Sequence, residues 1–240
     1  MTKLEFCKLF NEQLSKIDIS INGEQIEKFY LFMNLLLEWN EKINLTAITE
    51  PSEVITKHFI DSLTINKFIE KDSRVIDIGT GAGFPGIPLG IIREDIEIVL
   101  VDSLNKRVQF LNEVIEKLEL KKVIAIHARA EDLGNMKEYR EMFDIATSRA
   151  VANMSTLSEY LLPFVKVNSK AVFMKGSEID EEIEKSKNAI RILGGKIEEK
   201  EEFLLPNTDM KRNIIIVRKE KQTPLKYPRK QGKPSKEPLV

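Results

Sequence analysis

The chain has 240 residues, of which 42% are apolar and 31% are charged, a balance that excludes a wholly disordered protein and allows a substantial core. Its formal net charge of −1 excludes a polycation, so any affinity for nucleic acid must come from local basic clusters. The chain has one cysteine and two histidines, which predicts a protein without disulfides or a bound metal. It has no signal-like amino terminus and no apolar run near the roughly 20 residues of a membrane span, which predicts a cytoplasmic protein without membrane association.

The first 70 residues predict an all-helical segment. Thr2 and Glu5 form a capping-box pattern ahead of apolar residues at helical spacing. Asn22 is a candidate cap for a second helix. Pro51 suits the first turn of a third helix that runs towards Phe68.

Strands and helices alternate from Ser73 onwards. Strands are predicted near residues 73–78, 96–102, 122–127, 143–148 and 169–175, and helices near residues 85–92, 105–119, 131–140, 153–165 and 178–193. This alternation predicts parallel strands joined by right-handed crossovers. Two further strands, near residues 196–205 and 212–219, are too close for a helical crossover, so they predict a hairpin with one antiparallel strand.

The predicted fold is therefore α/β and Rossmann-like, with a seven-stranded, mostly parallel, doubly wound sheet, a C-terminal β-hairpin and an N-terminal helical segment. We divide the chain into that segment (1–70), a Rossmann-like domain (71–220) and a basic, proline-rich tail (221–240). The tail has no periodicity. Its composition alone favours a solvated, disordered terminus, and contact with RNA phosphates is the alternative.

A glycine-rich turn follows the first predicted strand. Four glycines fall within eight residues, at positions 79, 81, 83 and 86. A structural turn needs only one or two glycines, whereas several let the backbone approach a ligand closely. The carboxyl ends of parallel strands are also where such sheets bind ligands. The turn therefore predicts a ligand-binding loop.

The identity of that ligand depends on the residues around the glycines. The turn matches the dinucleotide pattern G-x-G-x-x-G, so NAD is one candidate. However, Pro85 and Pro88 remove N–H donors that a pyrophosphate needs, and Asp77 would repel it. S-adenosylmethionine has no phosphate, and its ammonium and sulfonium groups suit an acidic neighbour. We therefore predict S-adenosylmethionine, bound at Gly79, Gly81 and Gly83.

Three further strand ends carry candidate residues. Asp102 is placed to bind the two ribose hydroxyls of either cofactor, although it or Ser103 would also serve as a helix cap. After the third strand, a main-chain N–H and a carboxylate of residues 128–132 are placed to contact the adenine edge, or Glu131 and Asp132 cap and charge-compensate the next helix. Arg149 faces a substrate phosphate or the cofactor carboxylate, or forms a structural salt bridge.

Six motifs occur in order along nearly the whole chain. They are WNEKINLTAI (39–48), KHFIDSL (57–63), DIGTGAGFPG (77–86), VDS (101–103), TSRA (147–150) and YPRK (227–230). Together they closely resemble the ribosomal small-subunit methyltransferase G family, formerly called glucose-inhibited division protein B. The glycine turn alone is a weak signal, but the ordered set is specific.

The resemblance implies transfer of a methyl group from S-adenosylmethionine to N7 of guanine 527 of 16S rRNA, in free rRNA, the small ribosomal subunit or an assembly intermediate. The cofactor positions it implies are Gly79, Phe84, Asp102, Ser103, Leu104, Ala130, Glu131 and Arg149. An NAD-dependent oxidoreductase and a non-catalytic ribosome-assembly factor that binds RNA are the alternative functions.

No general base is predicted, because guanine N7 is an unprotonated lone pair at neutral pH and positioning supplies much of the catalysis. The catalytic residue is therefore left unassigned, and a monomer is expected. The resemblance also favours RNA binding by the tail. The RNA-binding candidates are Asn44, His58, Arg229 and Lys230, with a structural role as the alternative for His58.

Overall fold

The computed structural model describes residues 1–149 and 152–239. Ala150, the last residue of the TSRA motif, and Val240, the last residue of the predicted tail, lie outside the described residues. Within these ranges no helix combines the length and apolarity needed to cross a bilayer.

The N-terminal helices begin where their caps predict. Helix α1 (Lys3–Ser15) starts at a capping box formed by Thr2 and Glu5. Helix α2 (Gly23–Asn40) starts at a second box, in which Asn22 and Gln25 bond each other's backbone N–H groups.

The third predicted helix is not one regular α-helix. It comprises α3 (Pro51–Val54), a π-helix (Ile55–Ile60) and α4 (Asp61–Leu63), here called the composite helix, and a separate 3₁₀ turn (Asn66–Phe68) follows. Short π-helical turns are rare and occur frequently at functional sites. The π-helical turn carries His58.

Seven strands form one sheet, which confirms the predicted fold class. They are β1 (Arg74–Ile78), β2 (Glu97–Asp102), β3 (Val123–His127), β4 (Phe143–Arg149), β5 (Val165–Lys175), β6 (Gly195–Leu204) and β7 (Lys211–Lys219). Their order is β3-β2-β1-β4-β5-β7-β6. The first five are parallel, and β7 is antiparallel to β5 and to its hairpin partner β6.

The remaining helices are α5 (Gly86–Ile92), α6 (Asn105–Lys117), α7 (Ala130–Leu133), α8 (Met154–Leu161), α9 (Asp180–Ile192) and α10 (Lys233–Lys236). The helix predicted near residues 131–140 is wrong, because α7 ends after one turn. Gly134 follows at once, and the Asn135 amide donates to the Glu131 carbonyl, so it competes with helical hydrogen bonding.

The sheet is covered on both faces, as side-chain alternation along its strands requires. Val75 joins a cluster that includes α1, α2, the composite helix, α5 and α6, whereas Ile76 joins a cluster with α8, α9 and Tyr227 of the tail. Phe59 of the composite helix lies 6.2 Å from Phe84, ring centre to ring centre. The N-terminal helices therefore share a core with the sheet. The domain boundaries at residues 70 and 220 stay predictions.

The tail packs on the domain rather than extending into solvent. Tyr227 and Pro228 are buried, and the Arg140 guanidinium donates to the carbonyls of Thr223 (2.7 Å) and Tyr227 (2.8 Å). The Thr156 hydroxyl donates to the Pro234 carbonyl (3.0 Å). The expectation of a disordered terminus is therefore wrong for residues 221–239, because specific partners hold the main chain of the tail.

Candidate active site

A cavity of about 710 Å³ opens at the carboxyl ends of β1, β2, β4 and β5 and the start of β7. Its volume falls within the roughly 300–1,000 Å³ of small-molecule sites. It lies where the strand order reverses between β1 and β4, the position at which open α/β sheets bind ligands. The composite helix and the loop at residues 43–48 complete its wall.

Two of the three predicted glycines line this cavity. Gly79 and Gly81 have positive φ angles of 67° and 61°, which side chains rarely adopt. A Cβ on Gly81 would meet nothing within 4 Å, so the turn leaves a cradle that a ligand can fill. Gly83 does not line the cavity. A Cβ there would lie 2.4 Å from Ile87 Cγ1, so Gly83 is required for packing, and its contact with the cofactor stays a prediction.

Asp102 presents a buried carboxylate at the cavity. Its Oδ2 accepts from the Gly81 N–H and its Oδ1 from the Leu104 N–H, both at 2.9 Å. Arg107 Nη1 lies 3.4 Å away. The interpretation of Asp102 or Ser103 as the helix cap is wrong, because α6 has Leu104 at its N-cap and no side-chain cap. Ser103 lines the cavity, whereas the exposed Leu104 contributes its main chain to Asp102.

Asp77 supports the glycine turn from behind. Its Oδ2 accepts from the Thr80 hydroxyl (2.6 Å) and from the Gly86 N–H (3.0 Å). Complete burial raises the pKa of Asp77 to about 6, although both hydrogen bonds oppose the shift. Since Pro85 and Pro88 carry no N–H and the Gly86 N–H is already bonded, the first turn of α5 offers no donor cluster for a pyrophosphate.

A compact cluster joins β4 to the composite helix at the middle of the cavity. Arg149 Nη2 donates to His58 Nδ1 (3.0 Å), and its Nη1 lies 3.5 Å from Asp61 Oδ2. The guanidinium lies 4.9 Å over the Phe84 ring, and the His58 ring stacks on the same ring with centres 4.4 Å apart. The structural salt bridge considered for Arg149 is thus present, and Arg149, Phe84 and His58 also line the cavity.

His58 is held as a neutral ring. Burial, followed by the positive charge of Arg149, lowers the pKa of His58 to about 3. Because Nδ1 accepts from Arg149, Nε2 carries the proton and donates to the Thr46 hydroxyl (2.8 Å). The residue is 8% exposed, so only a group that enters the cavity can reach it. The prediction that His58 contacts RNA stays a prediction, restricted to an RNA group that enters the cavity.

Ala130 and Glu131 do not line the cavity formed by the described residues. The Glu131 carboxylate is 4% exposed and accepts from the Gly232 N–H of the tail (2.9 Å). Glu131 therefore fastens the tail to α7. The main-chain N–H groups of both residues open α7, and their contact with the cofactor stays a prediction.

The structure separates the RNA-binding candidates. Asn44 is exposed in the loop that carries the cavity residues Leu45 and Thr46, and Lys230 is also exposed. Arg229 is the third of these candidates. Its Nη2 lies 2.6 Å from Glu159, whose side chain is fully buried, so the guanidinium helps to hold the tail, and its binding to RNA phosphates stays a prediction.

Sequence reasoning missed two arginines of the cavity wall. Arg107 lies in the first turn of α6, five residues after Asp102, and this spacing was the available signal. Arg212 is the second residue of β7 and donates from Nε to both oxygens of Asp61 (3.1 and 3.2 Å). No local signal indicates that pair, because its members are 151 residues apart. No described cluster of three His, Cys, Asp or Glu side chains is placed to hold a metal ion.

Comparison with protein families gives one consistent match. Residues 25–214 match the family model described as rRNA small subunit methyltransferase G. A ribosomal RNA small subunit methyltransferase G from Acetivibrio thermocellus is 52% identical over 239 residues, covering 99% of this chain and 98% of that protein. The protein of the same name from Clostridium perfringens is 52% identical over 238 residues, covering 98% of this chain and all of that protein.

Solved structures share the fold at lower identity. A SAM-dependent methyltransferase from Aquifex aeolicus superposes with a TM-score of 0.53 at 17% identity, covering 75% of this chain and 97% of that one. TYW2 of M. jannaschii, solved in complex with AdoMet, gives 0.52 at 18% identity, covering 66% and 74%. These structures support the fold alone.

Proposed function

The chain belongs to the rRNA small subunit methyltransferase G family, a family of S-adenosylmethionine-dependent rRNA methyltransferases, and on that premise we propose that it methylates N7 of guanine 527 of 16S rRNA. Its substrate form is free 16S rRNA, the small ribosomal subunit or an assembly intermediate. It acts as a monomer in the cytoplasm, where bacterial rRNA is found.

The observation that carries the proposal is the open space over Gly81 beside the Asp102 carboxylate. Each Asp102 oxygen accepts one main-chain bond, and a carboxylate oxygen has room for a second. Asp102 can therefore also accept the ribose hydroxyls of S-adenosylmethionine. The long 3.4 Å contact from Arg107 is the one that a hydroxyl would replace. The residues present thus fit the cofactor.

The oxidoreductase alternative finds less support at the same turn. NAD needs several N–H donors for its pyrophosphate. Here Pro85 and Pro88 lack the group, and the Gly86 N–H donates to Asp77. S-adenosylmethionine has no phosphate and therefore does not need these N–H donors.

The proposed reaction needs positioning rather than proton transfer. Bound S-adenosylmethionine supplies an electrophilic methyl group on a sulfonium. Guanine N7 carries a free lone pair, so no side chain has to remove a proton first. The chain contributes a neutral His58, fixed between Thr46 and Arg149, and a buried Arg149 that orders the cavity wall. Carboxylates near the cavity stabilise the positive charge that moves onto the purine.

Mapping of 7-methylguanosine in 16S rRNA tests the proposal. Cells that lack this protein should lose the modification at guanine 527, and the wild-type protein should restore it. The Asp102→Ala variant at equal abundance should restore it poorly, because its cofactor binding is weakened. Loss of a different methyl group would contradict the target, and an unchanged methylation pattern would favour an assembly factor.

A further inference from the structure

The cavity extends beyond the cofactor cradle to a second region at the β5–β7 ladder. Arg149, Met174 and Ile214 are paired in register across β4, β5 and β7, so the wall continues from the strand of Arg149 to the hairpin. Arg212 and Asn213, near the start of β7, also line the cavity. This region is here called the hairpin end of the cavity. Under the proposed function, on which this inference rests, the hairpin end is available for the RNA base that accepts the methyl group.

The hairpin end combines apolar surface with a charged boundary. Met174 and Ile214 supply the apolar part, and a methionine adapts its shape to a flat ring. Asp61 and Arg212 supply the charges. Such a mixture suits a base taken out of the RNA stack, with apolar contact on its faces and hydrogen bonds on its edge.

Asp61 is held between two arginines, and its carboxylate oxygens can still accept further hydrogen bonds. Arg212 Nε donates one bifurcated hydrogen bond to Oδ1 (3.1 Å) and Oδ2 (3.2 Å) of Asp61. Arg149 Nη1 lies 3.5 Å from Oδ2, a long contact. A carboxylate offers about four acceptor positions, so further donors can be bound. The Asp61 side chain is 6% exposed and lines the cavity, so only a donor bound inside the cavity can reach its carboxylate.

Guanine presents donors on the edge opposite its reacting atom. If N7 faces the cofactor cradle, the N1–H and the N2 amino group point away from it, towards the hairpin end. Adenine has an acceptor in place of that N1–H and no N2 amino group. An acceptor-only carboxylate therefore favours guanine over adenine. We propose that the hairpin end is the target-base pocket and that Asp61 selects guanine by accepting hydrogen bonds from its N1–H and N2 amino group.

The test replaces the target guanine of an rRNA substrate with inosine, which keeps N7, O6 and N1–H but lacks the N2 amino group. We measure kcat/KM for both RNAs with wild type, Asp61→Asn and the control Asp180→Asn, whose carboxylate is 87% exposed on α9. Wild type should prefer guanine by roughly 10- to 100-fold. Asp61→Asn should lower that ratio about tenfold, while Asp180→Asn keeps it.

Comparing ratios removes the intrinsic difference in N7 reactivity, which is the same for every variant. A merely structural role for Asp61 would slow both RNAs equally, so an unchanged ratio overturns the inference alone. Absence of methyl transfer to either RNA by wild type overturns the proposed function as well. If Asp61→Asn does not fold, Asp61→Glu displaces the carboxylate by one methylene and is judged by the same ratio.

Discussion

Asp102 combines two tasks in one carboxylate, since it holds the Gly81 and Leu104 N–H groups and faces the cavity. We predict that Asp102→Ala weakens S-adenosylmethionine binding by about 1–3 kcal/mol, because polar partners lose their acceptor. Isothermal titration calorimetry measures the change. Asp102→Asn, which keeps one acceptor oxygen, should lie between wild type and Asp102→Ala.

The matched control for Asp102 is Glu97, an exposed carboxylate at the opposite end of the same strand. Glu97→Ala should leave cofactor affinity unchanged. Equal affinity of Asp102→Ala and wild type would mean that Asp102 serves the turn and does not touch the ribose.

His58 has a positioning role that pH can test. Because burial and Arg149 lower its pKa to about 3, the ring stays neutral from pH 5 to 9. His58 should therefore add no inflection to the rate of methyl transfer between pH 5 and 9. An inflection near pH 6 belongs to Asp77 and should persist in His58→Ala, which should lower the rate by less than about 100-fold. Single-turnover kinetics across this pH range measures both.

Cofactor affinity and folding of His58→Ala are measured alongside, since the ring also bonds Arg149 and Thr46. A loss of roughly a thousandfold with both intact, together with a titration that wild type shows and His58→Ala lacks, would make His58 a general acid or base.

At the scale of elements, the tail is held at Arg229 by a fully buried acid. Glu159 of α8 accepts from the main chain of Arg229 (2.7 Å) and from its guanidinium. We predict that Arg229→Gln lowers the free energy of unfolding by about 2–4 kcal/mol, because a buried carboxylate loses its counter-charge. Urea denaturation followed by circular dichroism measures this change.

Lys230 provides the comparison, because it is adjacent and exposed. Lys230→Gln should change stability by no more than about 0.5 kcal/mol. Similar stabilities for the Arg229 and Lys230 variants would show that this ion pair contributes little to the fold and would favour a role of Arg229 in RNA binding.

At the scale of the whole molecule, the N-terminal helices and the sheet should unfold together. The only tryptophan, Trp39, lies in α2, and its Nε1 donates to Glu113 of α6 (3.1 Å). Its fluorescence therefore reports on the contact between the helical segment and the sheet domain. We predict that this signal and far-UV circular dichroism give coincident urea transitions, the mark of one cooperative unit.

An earlier fluorescence transition would contradict that prediction and support a separable helical domain at residues 1–70. The shared core argues for coincidence. Phe10, Phe29 and Phe59 are fully buried in the same cluster as Val75 of β1, and each such side chain contributes about 1.5–3 kcal/mol through burial.

The sequence by itself determined the features that depend on neighbouring residues. Apolar runs, caps and the short link after residue 205 predicted the seven strands and the hairpin, because strand and helix periodicity act over a few residues. The glycines and Asp102 were found for the same reason, since a turn and the end of a strand are local. Six ordered motifs indicated the family.

Tertiary structure decided the contacts between distant parts of the chain. Asp61 meets Arg212, and Glu131 meets Gly232, only after the hairpin and tail have packed. The composition of the tail favoured disorder, because the tail is rich in charges and prolines. Composition carries no information about the buried Glu159 that binds Arg229. Gly83 resembled its neighbours in sequence, yet the approach of Ile87 makes it a packing residue. These roles depend on three-dimensional neighbours, which local periodicity cannot specify.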